Sequence, residues 1–241
     1  LMLIEDCCES MGAYYKGKAL GAFGRVGSYS FYFSHHITTL EGGICVTEDH
    51  DLAELMRIMR AHGWVRQTEN PSRWTDQYPD IDPRFLFVNE GYNLRITEPQ
   101  AAMGLVQLDK LHNFVNARAE SATFYKSALA DCQDVFTYQD ETEGGTHSWF
   151  GFPILIKSSA GFSRTDICDY LNRNGVETRP IIAGNLAKQP GTKLFPHRIG
   201  GDLSGADTVM QYGFSVGCHQ SLNAEARQYV VDTVKNYLGR T

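Results

Sequence analysis

The densest run of reactive side chains is residues 30–43, SFYFSHHITTLEGG. Serine and threonine hydroxyls beside a glycine turn suit a phosphate, since such turns present donors to an anion. Gly42 and Gly43 permit positive φ, which allows close approach of a bulky ligand or a sharp return into the next strand. His35 and His36 bring imidazoles that change charge near neutral pH and can act as acid–base groups; a structural role for either one is equally open. Adjacent side chains diverge on an extended backbone, so the pair is not expected to share a metal. Asp6 follows an apolar run, at the place where open α/β sheets bind ligands if that run is a parallel strand. A carboxylate buried there needs a cationic or hydrogen-bonding partner, although it could also cap the next turn. Glu9 would face the same cavity if a turn follows. In GYNLR, Asn93 and Arg95 suit an anion near a helix N-terminus, with capping an equal alternative for Asn93. Thr178, Arg179, Asn185, His147 and His219 stand singly in the second half, where packing or surface roles are the default.

The elements that must position these groups follow from hydrophobic period and breakers. LMLI followed by Glu5-Asp6 reads as a strand buried on both faces, as in the middle of a parallel sheet. A chain rarely opens there, so the sequence is expected to be N-terminally truncated. Residues 12–24 form a turn-rich hairpin, 26–33 and 42–47 strands, and 51–61 a helix striped by Leu52, Leu55, Met56 and Met59. Residues 64–87 read as a long, proline-containing loop. From Glu98 a helical stripe runs through Leu105, Leu108 and Leu111 to about Leu129, with Pro99 in its first turn. Residues 148–156 and 176–182 read as strands, 164–173 and 224–238 as helices. The class is α/β, with a domain boundary near Asp131: a first domain 1–131 including the long helix, and a smaller α/β domain 132–241.

A formal net charge of −6 opposes a nucleic-acid footprint, which is usually basic. No apolar run reaches the roughly 18–20 residues of a membrane helix, so no membrane partner is expected. The six cysteines lack C-x-x-C spacing and are expected to be small, reduced, partly buried residues of a cytoplasmic protein.

The segment IEDCCESMGAYYKGKALGAFGRVGSYSFYFSHHITTLEGGICVT, then AHGW, then GYNLRITEPQAAMGLVQL, resembles the DegT/DnrJ/EryC1/StrS family over essentially the whole chain. The resemblance implies a fold-type I, aminotransferase-like enzyme that uses pyridoxal phosphate on nucleotide-linked keto sugars. Most of the family carries a lysine in SFxPxKxxTxGEGG that ties the cofactor covalently to the chain; here that slot holds His35. This is typical of the branch of sugar 3-dehydratases, and implies a pyridoxamine or pyridoxal 5′-phosphate that is not covalently bound. With no cysteines between Gly63 and Tyr92, no iron–sulfur cluster is expected.

The resemblance further implies that Asp6 pairs with the cofactor's ring nitrogen, that Glu9 lies near its ring hydroxyl in a slot usually held by glutamine, and that Ser30 contacts the phosphate. His35 becomes the catalytic base. Asn93 reaches the phosphate of a neighbouring subunit, which implies a homodimer with shared sites. Arg179 and Asn185 are weaker candidates for binding the nucleotide-linked 4-keto sugar or the amino donor, glutamate. The implied reaction is C3 dehydration of a 4-keto-6-deoxyhexose; a transaminase or a non-catalytic fragment are the alternatives. Phe33 and Leu40 depart from the family's proline and glycine. A phosphate-binding glycine/serine turn and a stacking aromatic residue would lie upstream of Leu1.

Overall fold

The computed structural model describes residues 1–240. They fall into two compact units, Leu1–Leu111 and His112–Thr241. In the first, β1 (Ile4–Asp6) precedes a hairpin of β2 (Tyr14–Tyr15) and β3 (Lys18–Ala19), then β4 (Val26–Ser30), β5 (Gly43–Val46) and α1 (His50–Arg60). A single helical turn, α2 (Ser72–Thr75), precedes α3 (Glu98–Leu108). The sheet order is β1-β4-β5, with β1 parallel and β5 antiparallel to β4. Glycines let β4 pack tightly here: a Cβ on Gly27 would collide with the backbone of Gly21, itself at φ 93°.

The apolar opening run is not buried. Leu1, Met2, Leu3 and Ile4 are exposed: β1 pairs on one side only, and the half-buried residue of the strand is Glu5, which meets Gly21 and Gly24. Apolar sequence reports that a strand prefers burial; it does not supply the covering layer. The expected long loop is also more ordered than its composition implies. Ile58, Val65 and Leu86 form a small core under it, and Trp64 stacks on both Phe85 and Phe87. Nor is there one helix of thirty residues. α3 ends at Leu108, where Lys110 N–H bonds to Gln107 C=O in an i→i+3 turn, and α4 (Leu111–Ala128) starts anew.

The second unit continues with β6 (Phe136–Tyr138), β7 (Gly145–Thr146), β8 (Phe152–Ile156), α5 (Arg164–Arg173), β9 (Thr178–Pro180), α6 (Ser204–Tyr212), β10 (Gly213–Val216) and α7 (Ala224–Tyr237). Its sheet, ordered β6-β8-β10-β9, is antiparallel throughout. Alternating inward residues of β8 (Phe152, Ile154, Ile156) meet Phe214, Ile167, Leu171, Tyr125 and Val231 in one continuous core. β10, an interior strand of that sheet, went unread in the sequence, where only three residues between Gly213 and Gly217 mark it.

Among the described residues no helix is long and apolar enough to cross a membrane. Nor does any group of three or more His, Cys, Asp or Glu side chains there lie close enough to hold a metal ion.

Candidate active site

Parallel pairing of β1 and β4, with Asp6 opposite Ser28, delivers the C-terminal residues of both strands to one edge of the sheet. Asp6 ends β1 and Ser30 ends β4. The chain then turns through residues 31–42 and returns as β5, with Gly43 opposite Ser30. His35 rides on that turn, so carboxylate, hydroxyl and imidazole gather at one edge. This is where open sheets of parallel strands place their ligands.

Asp6 Oδ1 accepts the main-chain N–H of Cys8 at 3.1 Å. The Cys8 thiol, that N–H and the charge of nearby His35 together hold the Asp6 carboxyl below the usual carboxylate range. Glu9 behaves oppositely: half-burial, and then the charge of Asp6, push it up. The two acids thus share one neighbourhood with divergent proton affinities. Ser30 Oγ accepts the Tyr32 N–H at 3.2 Å, which leaves the hydroxyl proton to donate elsewhere.

The turn is built from its own polar groups. Phe31 N–H bonds to Gly42 C=O at 2.9 Å, and Phe31 C=O accepts both Thr39 N–H (2.9 Å) and the Thr38 hydroxyl (3.2 Å). Thr39 Oγ1 donates to Glu41 C=O at 2.8 Å, and Thr38 Oγ1 accepts Leu40 N–H at 2.9 Å. These hydroxyls therefore close the turn, and the expectation that they serve a phosphate is corrected; Ser30 remains. Two glutamines of α3 brace it: Gln107 Oε1 accepts Thr38 N–H (3.3 Å) and Gln100 Nε2 donates to Glu41 C=O (2.8 Å). His36 and Ile37 are buried beneath, while His35 sits edge-on to Tyr32 with ring centres 5.9 Å apart. Leu40 adopts φ 71°, a conformation that favours glycine and costs about 1–2 kcal/mol for other residues. Gly42 is obligatory in space as well, since a Cβ there would lie 2.6 Å from Thr39 Oγ1.

Asn93 is placed elsewhere. GYN is pinned to the end of α1 by Tyr92 N–H to Met59 C=O (2.7 Å), His62 N–H to Tyr92 C=O (2.8 Å) and Leu94 N–H to Arg60 C=O (3.0 Å). Asn93 does not cap α3; Thr97 does, in a capping box with Gln100. Its Oδ1 accepts Arg95 at 3.4 Å, and with Arg60 and Arg95 it lines a cationic depression of about 500 Å³. Asp6, Ser30 and His35 are not part of that lining.

In the second unit, Arg179 is exposed on β9 and pairs with Glu177. Asn185 is 2% exposed; it caps a 3-10 turn through Ala187 N–H and donates to Asp207 at 2.7 Å, so its amide is already engaged. Thr178 is bonded twice to Asn172. His147 Nδ1 accepts Trp149 N–H at 2.7 Å, and burial pushes its pKa down. His219 is exposed; its pKa is lowered by partial burial and by Arg118. Sequence reasoning missed Arg118, buried on α4, whose guanidinium bonds the carbonyls of Trp149 (3.1 Å) and Phe150 (3.0 Å). It also missed Cys8 and the α3 glutamines. A lone arginine at helical spacing between Val115 and Ala122 was the available signal for Arg118.

The fold is that of the aminotransferase-like enzymes, as solved structures demonstrate. A structure described as E. coli GDP-4-keto-6-deoxy-D-mannose-3-dehydratase with bound hydrated PLP superposes with a TM-score of 0.89 at 36% identity, covering 98% of this chain and 60% of its own. Another, of the same-named enzyme with a trapped PLP-glutamate geminal diamine, gives 0.89 at 35%, covering 98% and 61%. A curated relative from Yersinia pseudotuberculosis named GDP-4-keto-6-deoxy-D-mannose 3-dehydratase is 39% identical over 91% of this chain and 56% of its own. The family's sequence profile matches residues 1–235, and the chain belongs to the DegT/DnrJ/EryC1/StrS aminotransferase family. It spans about three fifths of the length of these relatives.

Proposed function

We propose that the chain takes part in pyridoxamine/pyridoxal 5′-phosphate-dependent C3 dehydration of a nucleotide-linked 4-keto-6-deoxyhexose, with His35 as the base and the cofactor held without a covalent bond. The observation that carries this reading is His35 beside Asp6 at the C-terminal edge of the β1–β4 pair, in the slot where most of the family has lysine. No lysine occurs anywhere between Lys18 and Lys110.

The residues present fit such a cofactor. Asp6 offers an ionised, accessible carboxylate for a protonated ring nitrogen. Ser30 offers a hydroxyl proton for a phosphate. Glu9, with its proton retained more readily than usual, can donate to a ring oxygen as a glutamine would. When bound, the cofactor supplies an amine that condenses with the sugar's C4 ketone and a ring that accepts electrons.

The protein's part is placement and proton transfer. His35 takes a proton from the carbon bearing that amine and returns one to the departing C3 hydroxyl, a shuttle suited to an imidazole. Asp6 keeps the ring nitrogen cationic and the electron sink strong. Asn93, in its separate cationic depression, suits a phosphate held by a neighbouring subunit, so the working form is a homodimer with shared sites. The cofactor-binding part is the unit Leu1–Leu111 and the smaller domain the unit that follows; a boundary near Asp131 would separate α4 from the core that holds its Tyr125. Glutamate is the amino donor, the setting is cytoplasmic, and no iron–sulfur cluster is involved. Arg179, exposed on β9 in an ion pair with Glu177, offers a substrate anion a cation at the surface, whereas the amide of Asn185 is buried and engaged.

The test is product analysis with a GDP-4-keto-6-deoxyhexose, pyridoxamine phosphate and glutamate. A 3-deoxy sugar with release of ammonia and 2-oxoglutarate supports the reading. A stable 4-amino sugar overturns it in favour of transamination.

A further inference from the structure

Between β7 and β8 the chain enters a conformation that its residue types do not favour. Trp149 is buried, yet its φ is 50°, in the left-handed region that a bulky side chain rarely adopts. Bonds at both of its main-chain groups hold it there. His147 Nδ1 accepts the Trp149 N–H at 2.7 Å, and the two rings lie together with centres 4.5 Å apart. On the other side the Arg118 guanidinium donates to the carbonyls of Trp149 and Phe150, and the Arg118 C=O accepts the Cys218 thiol at 3.1 Å. The His147 N–H goes to Glu141 Oε1 at 3.0 Å.

The two anchors differ in what protons do to them. Arg118 keeps its charge across the neutral and mildly acidic range and always donates. Nδ1 accepts only while it carries no proton, so that bond needs a neutral imidazole with its hydrogen on Nε2. We propose that His147 is a proton-operated latch: neutral, it holds Trp149 in the left-handed turn; protonated, it opposes one N–H with another and lets the turn at residues 147–151 relax. The device goes beyond the function proposed above and needs neither cofactor nor substrate. An unpaired main-chain donor on a buried residue is costly, and the strain of a left-handed backbone then adds to the drive to open. The charged and titratable groups around the turn in the second unit are Glu141 from the preceding loop, Arg118 from α4, and Cys218 and His219 after β10, both of which sense Arg118. Burial of the imidazole outweighs the attraction of Glu141, so the His147 pKa lies below its ordinary 6.5. The latch is therefore closed above that value and opens as pH falls through the folded one.

Amide hydrogen exchange of the chain without cofactor tests the latch. Labelling with nitrogen-15 tryptophan leaves the main-chain signals of Trp64, Trp74 and Trp149, and Trp149→Phe identifies the last of them. Exchange is read relative to the intrinsic rate at each pH, from pH 8 to pH 5. Trp149 is expected to lose protection on the order of tenfold over that range, while Trp64 and Trp74, in the first unit, keep theirs. Constant protection of Trp149 overturns the proposal.

A second arm compares two variants, with thermal melts as a check on folding. His147→Asn offers an oxygen that accepts the N–H two residues on and does not titrate, so Trp149 should stay protected at both ends of the range. His147→Ala has no acceptor and should show the low protection already at pH 8. A pH-dependent loss that persists in His147→Asn contradicts the latch and moves the sensor to another group, such as His219. Should His147→Ala fail to fold, the contrast between the wild type and His147→Asn still decides.

Discussion

The two units are ordered by different forces. The second is arranged around one continuous apolar core in which Phe152, Ile154, Ile156 and Phe214 are almost wholly inaccessible. In the first, the core is the trio Ile58, Val65 and Leu86, while Leu3, Ile4, Phe85, Phe87, Leu94, Leu105 and Val106 stay exposed. Yet the first unit holds nearly all the candidate chemistry, and its central turn is shaped by polar bonds: threonine hydroxyls, backbone carbonyls and two glutamines of α3. Apolar burial is non-directional and sets stability; polar bonds are directional and set where a side chain points. Stability and chemistry are therefore carried by different residues.

The contrast can be broken most forcefully in the core. Phe214→Ala should cost about 3–5 kcal/mol, read as a fall in urea midpoint of the second unit, whereas Ile4→Ala on exposed β1 should cost less than about 0.5 kcal/mol. Comparable losses at both positions would show that β1 is covered in solution and that the contrast is misplaced. Asn185→Ala should lose about 1 kcal/mol, the usual worth of a helix cap, and leave the binding of nucleotide sugar unchanged; a selective loss of binding would restore it to the substrate site.

Within the turn, Gln107→Ala should cost roughly 0.5–1.5 kcal/mol and speed amide exchange at Thr38. Leu40→Gly should stabilise by about 0.5–1 kcal/mol, the relief of a left-handed backbone less the entropy of glycine. A loss of stability in Leu40→Gly would mean that the leucine side chain is packed in solution.

The smallest effect is one of pH. The folded-state pKa of Glu9 lies above its ordinary 4.5, so its stabilising contribution is fully present below that value and is lost as pH rises through the folded value. Glu9→Gln should match the wild type near pH 4 and exceed it modestly at pH 8 in urea midpoints. A constant offset at both pH values would remove burial of the charge as the cause.

Period and breakers made the amphipathic helices legible: Arg164–Arg173 lies over the range expected of it, and Ala224–Tyr237 within one residue. The gathering of Asp6, Ser30 and His35 at one sheet edge was partly legible: Asp6 and Ser30 end β1 and β4, and His35 lies on the turn after β4. What sequence could not show is which polar groups are already engaged. The hydroxyls of Thr38 and Thr39, and the amide of Asn185, look like ligand donors in a string of letters but are consumed by local turns and caps. Cys8 was invisible for the converse reason: what it gives Asp6 is a main-chain N–H set by the turn after β1, not by residue type. The single long helix failed at residues 109–110, where no proline or glycine marks the break.

The central claim, that an imidazole replaces the covalent tether of the cofactor, is tested most directly by borohydride reduction. The protein is incubated with pyridoxal phosphate, half the sample is dialysed, and both halves are reduced and mapped by mass spectrometry. The expected result is cofactor that dialyses away, with no stoichiometric adduct on any one side chain and none in residues 31–42. A one-to-one adduct on a single lysine that survives dialysis would contradict it.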